Sequence, residues 1–214
     1  MNRRILISLL IMVGAFAADA ALSEKAMAEE LETPDYTVIS THPDKIEIRR
    51  YEPMILAEVS VSGNRGEAAN KAFYILFDFI DGGNLPAEKI SMTAPVTQSR
   101  EEKIAMTAPV TQSEEGDGVW KVAFVMPPKY TMETLPRPKD DRIRIYERPA
   151  HKAAAIRFSG RYPKKRLDQF ERKLLTFLDS QRLRAASEPQ YAFYDGPFTP
   201  FFLRRNEILI ELSQ

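Results

Sequence analysis

From Tyr36 to Ser62 apolar and polar positions alternate with a period of two. Tyr36 to Ser40 forms a short strand. Lys45 to Tyr51 sets Ile46, Ile48 and Arg50 against Glu47, Arg49 and Tyr51, and Met54 to Ser62 places Ile55, Ala57, Val59 and Val61 on one face. Gly63 ends the third strand, and the period then changes. Asn64 has the character of a helix N-cap, and Glu67 three residues on completes a capping-box pattern. Ala69, Phe73, Leu76, Phe77 and Ile80 recur at helical spacing as a core stripe, and Asp81-Gly82-Gly83-Asn84 stops the helix. The far face holds Tyr74 and Ile75, with Phe79 at its margin, beside Lys71 and Asp78. Scattered exposure and a binding patch both account for that face.

The next segment is written twice. Lys89 to Ser99 and Lys103 to Ser113 differ only at Ser91 against Ala105. Each alternates, Ile90, Met92, Ala94 and Val96 opposing Lys89, Ser91, Thr93 and Thr97, so each reads as a core-lining strand, with Pro95 or Pro109 at an edge, bulge or exit. Thioether sulfur can ligate iron or copper, but methionines at strand spacing beside Ile and Val read as core. The two copies start fourteen residues apart, an even number, so either presents the same face to the core. The second copy connects directly to the strand Val119 to Met126 and is expected in the barrel, with the first as a hairpin arm or loop.

Past a Pro-rich linker at 134–141, the pattern returns. Asp44-Lys-Ile-Glu-Ile and Asp141-Arg-Ile-Arg-Ile lie 97 residues apart, and at that offset Ala57 meets Ala154, Ser62-Gly63 meets Ser159-Gly160 and Phe73 meets Phe170. A second helix starts near Pro163 with Leu167, Phe170, Leu174, Phe177 and Leu178 on one stripe, followed by strands at Gln190 to Tyr194 and Glu207 to Leu212. The expected fold is α+β: a distorted β-barrel of two pseudo-symmetric strand-strand-helix-strand-strand halves (36–133 and 141–214) with two flanking helices.

Composition adds boundaries. Arg3 and Arg4 precede the uncharged apolar run Ile5 to Ala18, and small-x-small sites follow at Ala18-Asp19-Ala20 and Ala26-Met27-Ala28. Fourteen apolar residues fall short of the ~20 that span a bilayer, so residues 1–28 read as a cleaved signal peptide and 29–35 as a linker to one domain at 36–214. With no cysteine there is neither a disulfide nor a lipid-attachment thiol, and a periplasmic or secreted product without a stable membrane anchor is expected. The formal net charge is zero, which argues against a general nucleic-acid binder. A monomer is expected.

Catalytic chemistry is not legible. His42 and His151 are separated, no Gly-x-Ser-x-Gly elbow or Gly-rich phosphate loop occurs, and carboxylate spacing selects no pair, so neither catalytic nor metal-binding residues are assigned. The segment Tyr191 to Leu203, by contrast, includes a Gly/Pro-broken loop with Phe198, Phe201 and Phe202, followed by Arg204 and Arg205. Rings and guanidinium groups together suit a flat apolar ligand carrying carboxylates; the phenylalanines capping a barrel end is the other account.

Several motifs in order carry a family resemblance: Ile-Arg-Arg-Tyr-Glu at 48–52, Lys-Ile-Ala-Met-Thr-Ala-Pro-Val-Thr at 103–111, Phe-Val-Met-Pro at 124–127, Phe-Ser-Gly at 158–160, Tyr-Asp-Gly-Pro at 194–197 and Arg-Arg-Asn-Glu at 204–207. Over roughly 35–212 the chain resembles the SOUL heme-binding proteins. The resemblance implies a two-half distorted barrel and non-enzymatic, reversible binding of heme or another tetrapyrrole in an apolar groove. The implied groove runs along the outer face of the first helix, at Lys71, Tyr74, Ile75 and Phe79, and near the loop of Phe198, Phe201 and Phe202. Two positions depart from relatives: Arg50 stands where some carry a histidine proposed as an iron ligand, and Phe79 where they carry a second basic residue. A tetrapyrrole-modifying enzyme and a small-molecule-sensing or interaction module are the alternatives, the export signal weighing against a cytoplasmic regulator.

Overall fold

In the computed structural model of the protein, residues 32–85, 103–116, 118–195 and 199–213 are described. The period-two segments become strands: β1 (Tyr36–His42), β2 (Ile46–Tyr51), β3 (Met54–Ser62), β5 (Val110–Gly116), β6 (Val119–Val125), β8 (Arg144–Arg148), β9 (His151–Phe158), β10 (Gln190–Phe193) and β11 (Asn206–Glu211). Two-residue strands β4 (Asn84–Leu85) and β7 (Arg137–Pro138) pair separately. The helices are α1 (Arg65–Ile80) and α2 (Lys164–Gln181).

The nine longer strands form one antiparallel sheet in the order β1-β2-β9-β11-β10-β5-β6-β3-β8, a curled half-barrel whose outer strands are β1 and β8. Leaving β1 aside, the order reads identically from both ends when β2, β9, β11 and β10 are exchanged for β8, β3, β6 and β5. The register obeys the same exchange. Ile48 pairs with Ala154 and Ala57 with Ile145, each residue 97 positions from its counterpart. With β1 set aside, the first strand of each repeat therefore pairs with the other half: β2 lies beside β9, and β8 beside β3.

Both helices cover one face. Ala72, Leu76, Phe79 and Ile80 of α1 pack against Ile55, Ala57 and Val59 of β3 and Val122 and Phe124 of β6. Leu167, Leu174 and Leu178 of α2 pack against Ile46, Ile48, Ile156, Ile208 and Ile210. Full burial of each Leu, Ile or Phe side chain is worth about 1.5–3 kcal/mol, so these layers hold the helices to the sheet. The opposite face carries a smaller core of Tyr51, Ala153, Ala155, Ala192 and Leu209.

Four expectations need correction. The α1 core stripe is Ala68, Ala72, Leu76, Phe79 and Ile80 rather than the one centred on Phe73 and Phe77; Phe77 is exposed and Phe73 only partly buried. In the second copy of the duplicated segment only Val110 onward joins the sheet. Lys103 to Pro109 runs outside it, with Ile104 in the core and its N–H donating to the Ile80 carbonyl. The first copy lies outside the described residues. The stretch at 134–141 is tied down rather than free, through buried Leu135 and the pairing of Arg137–Pro138 with Asn84–Leu85. Glu32 to Asp35 is likewise held: the Ala108 N–H donates to the Glu32 carbonyl, and the Glu52 N–H to that of Asp35.

Candidate functional site

The start of α1 is set by two residues. Gly63, at φ +141°, turns the chain out of β3, a conformation that disfavours any side chain, and its N–H donates to the Gly118 carbonyl. The Asn64 side-chain oxygen then accepts from the N–H groups of Gly66 and Glu67, both at 3.1 Å. With this start, Lys71, Tyr74, Phe77 and Asp78 fall on the face turned from the sheet.

That face is unusually aromatic. Tyr74 is 73% exposed, and its ring meets Phe73 edge to face at 6.2 Å. Phe73 stacks on exposed Phe77 at 5.7 Å and reaches Phe124 in the core at 5.7 Å. A run of rings thus leads from the core to solvent. Ile75 is partly buried against the same core, contributing at the margin of the face. The Lys71 ammonium is exposed and forms no ion pair among the described residues, so an anion held over Tyr74 has a cation at hand. Phe79 does not belong to this face. It is 1% exposed and packs in the core, because its position falls on the same stripe as Ala72 and Leu76.

In the loop between β10 and β11, Phe198 lies outside the described residues. Phe201 and Phe202 are exposed and meet edge to face at 5.5 Å. The Leu203 N–H donates to the Pro200 carbonyl and Arg204 Nε to that of Thr199, closing a short turn. The Arg161 guanidinium sits 5.0 Å from the Phe201 ring centre. Its neighbour Tyr162 accepts a hydrogen bond at its carbonyl from Arg65 in the first turn of α1. The loop and α1 are therefore linked through residues 161–162 and Arg65.

Arg161 and Phe77 adjoin the candidate residues through the Phe201 and Phe73 rings, and the reading of the sequence missed both. Arg161 sits in an ordinary Gly-Arg-Tyr-Pro turn, and only its contact with Phe201 singles it out. Conversely, Arg205 has a structural occupation. It pairs with Glu207 at 2.9 Å, donates to the Tyr36 hydroxyl and lies 3.9 Å over the Tyr194 ring. Glu207, fully buried, also receives a two-pronged bond from Arg49 at 2.6 and 3.0 Å and a hydrogen bond from the Tyr194 hydroxyl. Burial alone would raise the Glu207 carboxyl; the two guanidinium groups and the Tyr194 hydroxyl outweigh it and hold the group below the ordinary carboxylate value. Burial likewise works against the Arg49 cation, but bonding and attraction to Glu207 prevail and raise its pKa. The Tyr51 hydroxyl, accepting from Arg49, is pushed up to about 12, chiefly by burial. Arg49 and Tyr51, Tyr194, and Arg205 and Glu207, drawn from three of the motifs, thus meet in one buried ionic cluster on the sheet face opposite the helices. Its role is to fasten β1, β2 and β11.

The histidines are accounted for elsewhere. His42 bonds Ser40 Oγ and packs on Phe177 of α2; His151 stacks on Tyr51, and burial lowers its pKa. Arg50 is an exposed residue of β2, in the sheet half covered by α2. Among the described residues no group of three or more His, Cys, Asp or Glu side chains is placed to hold a metal ion, and no helix is long and apolar enough to cross a membrane.

Comparison with known proteins agrees with this architecture. Residues 31–211 match the family described as SOUL heme-binding protein. Among solved structures, the EcmrR C-terminal domain superposes with a TM-score of 0.55 at 10% identity, over 84% of this chain and 98% of that one. The EcmrR chain in an EcmrR–DNA complex gives 0.54 at 12% identity, over 99% of this chain and 70% of that one. At such identities the likeness is one of fold. No curated protein matches.

Proposed function

As the chain belongs to the SOUL heme-binding protein family, we propose that it binds heme or a related tetrapyrrole non-covalently on the outer face of α1, for storage, buffering or transfer rather than for chemistry. The observation that carries the site is the solvent-facing Tyr74, rooted through Phe73 in the core beside Lys71, which forms no ion pair among the described residues. A tetrapyrrole has apolar faces and an anionic edge. The Tyr74–Phe77 surface and Ile75 offer contact to the faces, Lys71 pairs with a carboxylate, and Phe201 and Phe202 with Arg161 extend the surface beyond the first turn of α1. Heme itself would bring iron, the source of any redox or axial-ligand chemistry. With Arg50 remote from this face, apolar contact and charge pairing carry the affinity.

Hemin titration followed at the Soret band tests the reading. A saturable shift is expected, weakened at least about tenfold in a Lys71→Glu/Tyr74→Asp variant, equivalent to about 1.4 kcal/mol. Absence of saturation refutes tetrapyrrole binding, and equal affinity in the variant refutes this site. The reading also keeps the exported location. The same protein should appear in the osmotic-shock fraction or medium of its host, and retention with the cytoplasm would count against export.

A further inference from the structure

A second site lies away from α1, on different residues. A cavity of about 300 Å³ opens where the end of β6 and the start of β3 meet the segment at 32–35 and the loop at 127–133. That volume reaches the lower range of small-molecule pockets. Its floor is apolar: Met54, Ile55, Val125 and Met126, with Tyr130 and Met132 on the loop side. Ile55, Val125 and Met126 are buried, so the floor is continuous with the core. Polar contributions to the wall include Thr107, whose hydroxyl is occupied by the Val125 carbonyl.

The charged side chains that line the cavity have one sign, although the Lys129 ammonium lies beside it over the Tyr130 ring. Glu32, Asp35, Glu52, Glu133 and Glu147 line the cavity, and no Lys, Arg or His does. The carboxylates come from four separate stretches of chain, and no three are grouped closely enough to hold a metal ion. Five lining carboxylates outnumber the one neighbouring ammonium, so the cavity carries a net negative charge. Such a rim over an apolar floor opposes the carboxylates of a tetrapyrrole and favours a cation with a substantial apolar body. The Thr131 hydroxyl bonds the Glu133 carboxylate and lowers its pKa, which keeps that part of the rim ionised. The Tyr130 ring holds the Lys129 ammonium at 4.8 Å from its centre, which shows that a cation is accommodated at this wall.

We propose that this cavity binds small lipophilic organic cations, with the apolar body on the methionine-rich floor and the positive charge at the carboxylate rim. The site is independent of the tetrapyrrole reading. Met54, Met126 and Met132 report on it directly in a protein labelled with ¹³C at the methionine methyl groups. The purified protein is titrated with benzyltrimethylammonium and, separately, with neopentylbenzene, the uncharged molecule of the same shape. The expected result is a saturable shift of those three methyl signals, at least about tenfold tighter for the cation than for the hydrocarbon. A further weakening of about tenfold is expected in Glu52→Gln/Glu133→Gln/Glu147→Gln, whose three changes are at exposed positions. No shift, equal affinity for the hydrocarbon, or unchanged affinity in the triple variant would each overturn the proposal. Hemin affinity in the triple variant should equal that of the unaltered protein, so failure at one site is told apart from failure at the other.

Discussion

At the scale of the residue, the most constrained groups in the protein are charges. Arg49 is 2% exposed and Glu207 fully buried, and they face each other with good two-pronged geometry. Removing one partner of such a pair leaves the other uncompensated, which typically costs 3–5 kcal/mol. Glu207→Gln should therefore lower stability by about 3 kcal/mol at neutral pH, with Glu47 retaining Arg49 in part. The sign of the acid response follows from the depressed carboxyl. Its contribution is fully present above the ordinary carboxylate value of about 4.3 and is lost as pH falls through and below it. Thermal melts between about pH 6 and about pH 3 should show the unaltered protein losing midpoint more steeply than Glu207→Gln. Parallel curves would show that Glu207 is not the group responsible. None of this cluster was legible from local pattern. Arg49 and Glu207 lie 158 residues apart, each on a strand face that reads as polar, and Arg205 reads equally well as ligand-facing. Only the β2–β9–β11 pairing, set by topology, brings them together.

At the scale of the element, α1 was legible in extent and cap but not in rotational phase. A helix carrying apolar residues at 72, 73, 75, 76, 77, 79 and 80 has more than one possible stripe. The small residues Ala68 and Ala72 decide it, because they allow the helix to approach β3 and β6 closely and turn Tyr74 and Phe77 outward. Sequence reasoning favoured the larger side chains for the core, and so misplaced Phe77 and Phe79 together. The duplicated segment poses a different question. Its second copy supplies Val110 to Ser113 to β5 and Ile104 to the core. Deleting residues 89–102, which joins Glu88 to Lys103, should therefore leave the fold in place. Shortening the connection changes closure entropy by about 1.5 kcal/mol, so the melting temperature should move by no more than several degrees. Circular dichroism of the deletion variant checks this, and an unfolded product would show that the second copy cannot stand alone.

At the scale of the whole molecule, the longer strands, the two helices and the pseudo-symmetric layout were legible because the 97-residue offset relates strands and helix alike, whereas the short pair β4 and β7 was not. Which strand joins which half was not, since alternation fixes the face of a strand but not its neighbour. The exchange of β2 and β8 between halves has a consequence for assembly. Each half ends its own sheet with an unfilled edge that only the other half's first strand can complete, and the partners lie about a hundred residues apart. Two peptides made by cutting between Asp141 and Arg142 should each lack a cooperative melt, with exposed edges prone to association. Mixed in equal amounts, they should recover the native spectrum by a concentration-dependent, second-order reaction. If either peptide folded alone, the exchange would be ornament. If only the mixture folds, the protein behaves as an intertwined dimer of its own halves joined by a tether, and closure of the two crossed strands is the step that commits the chain.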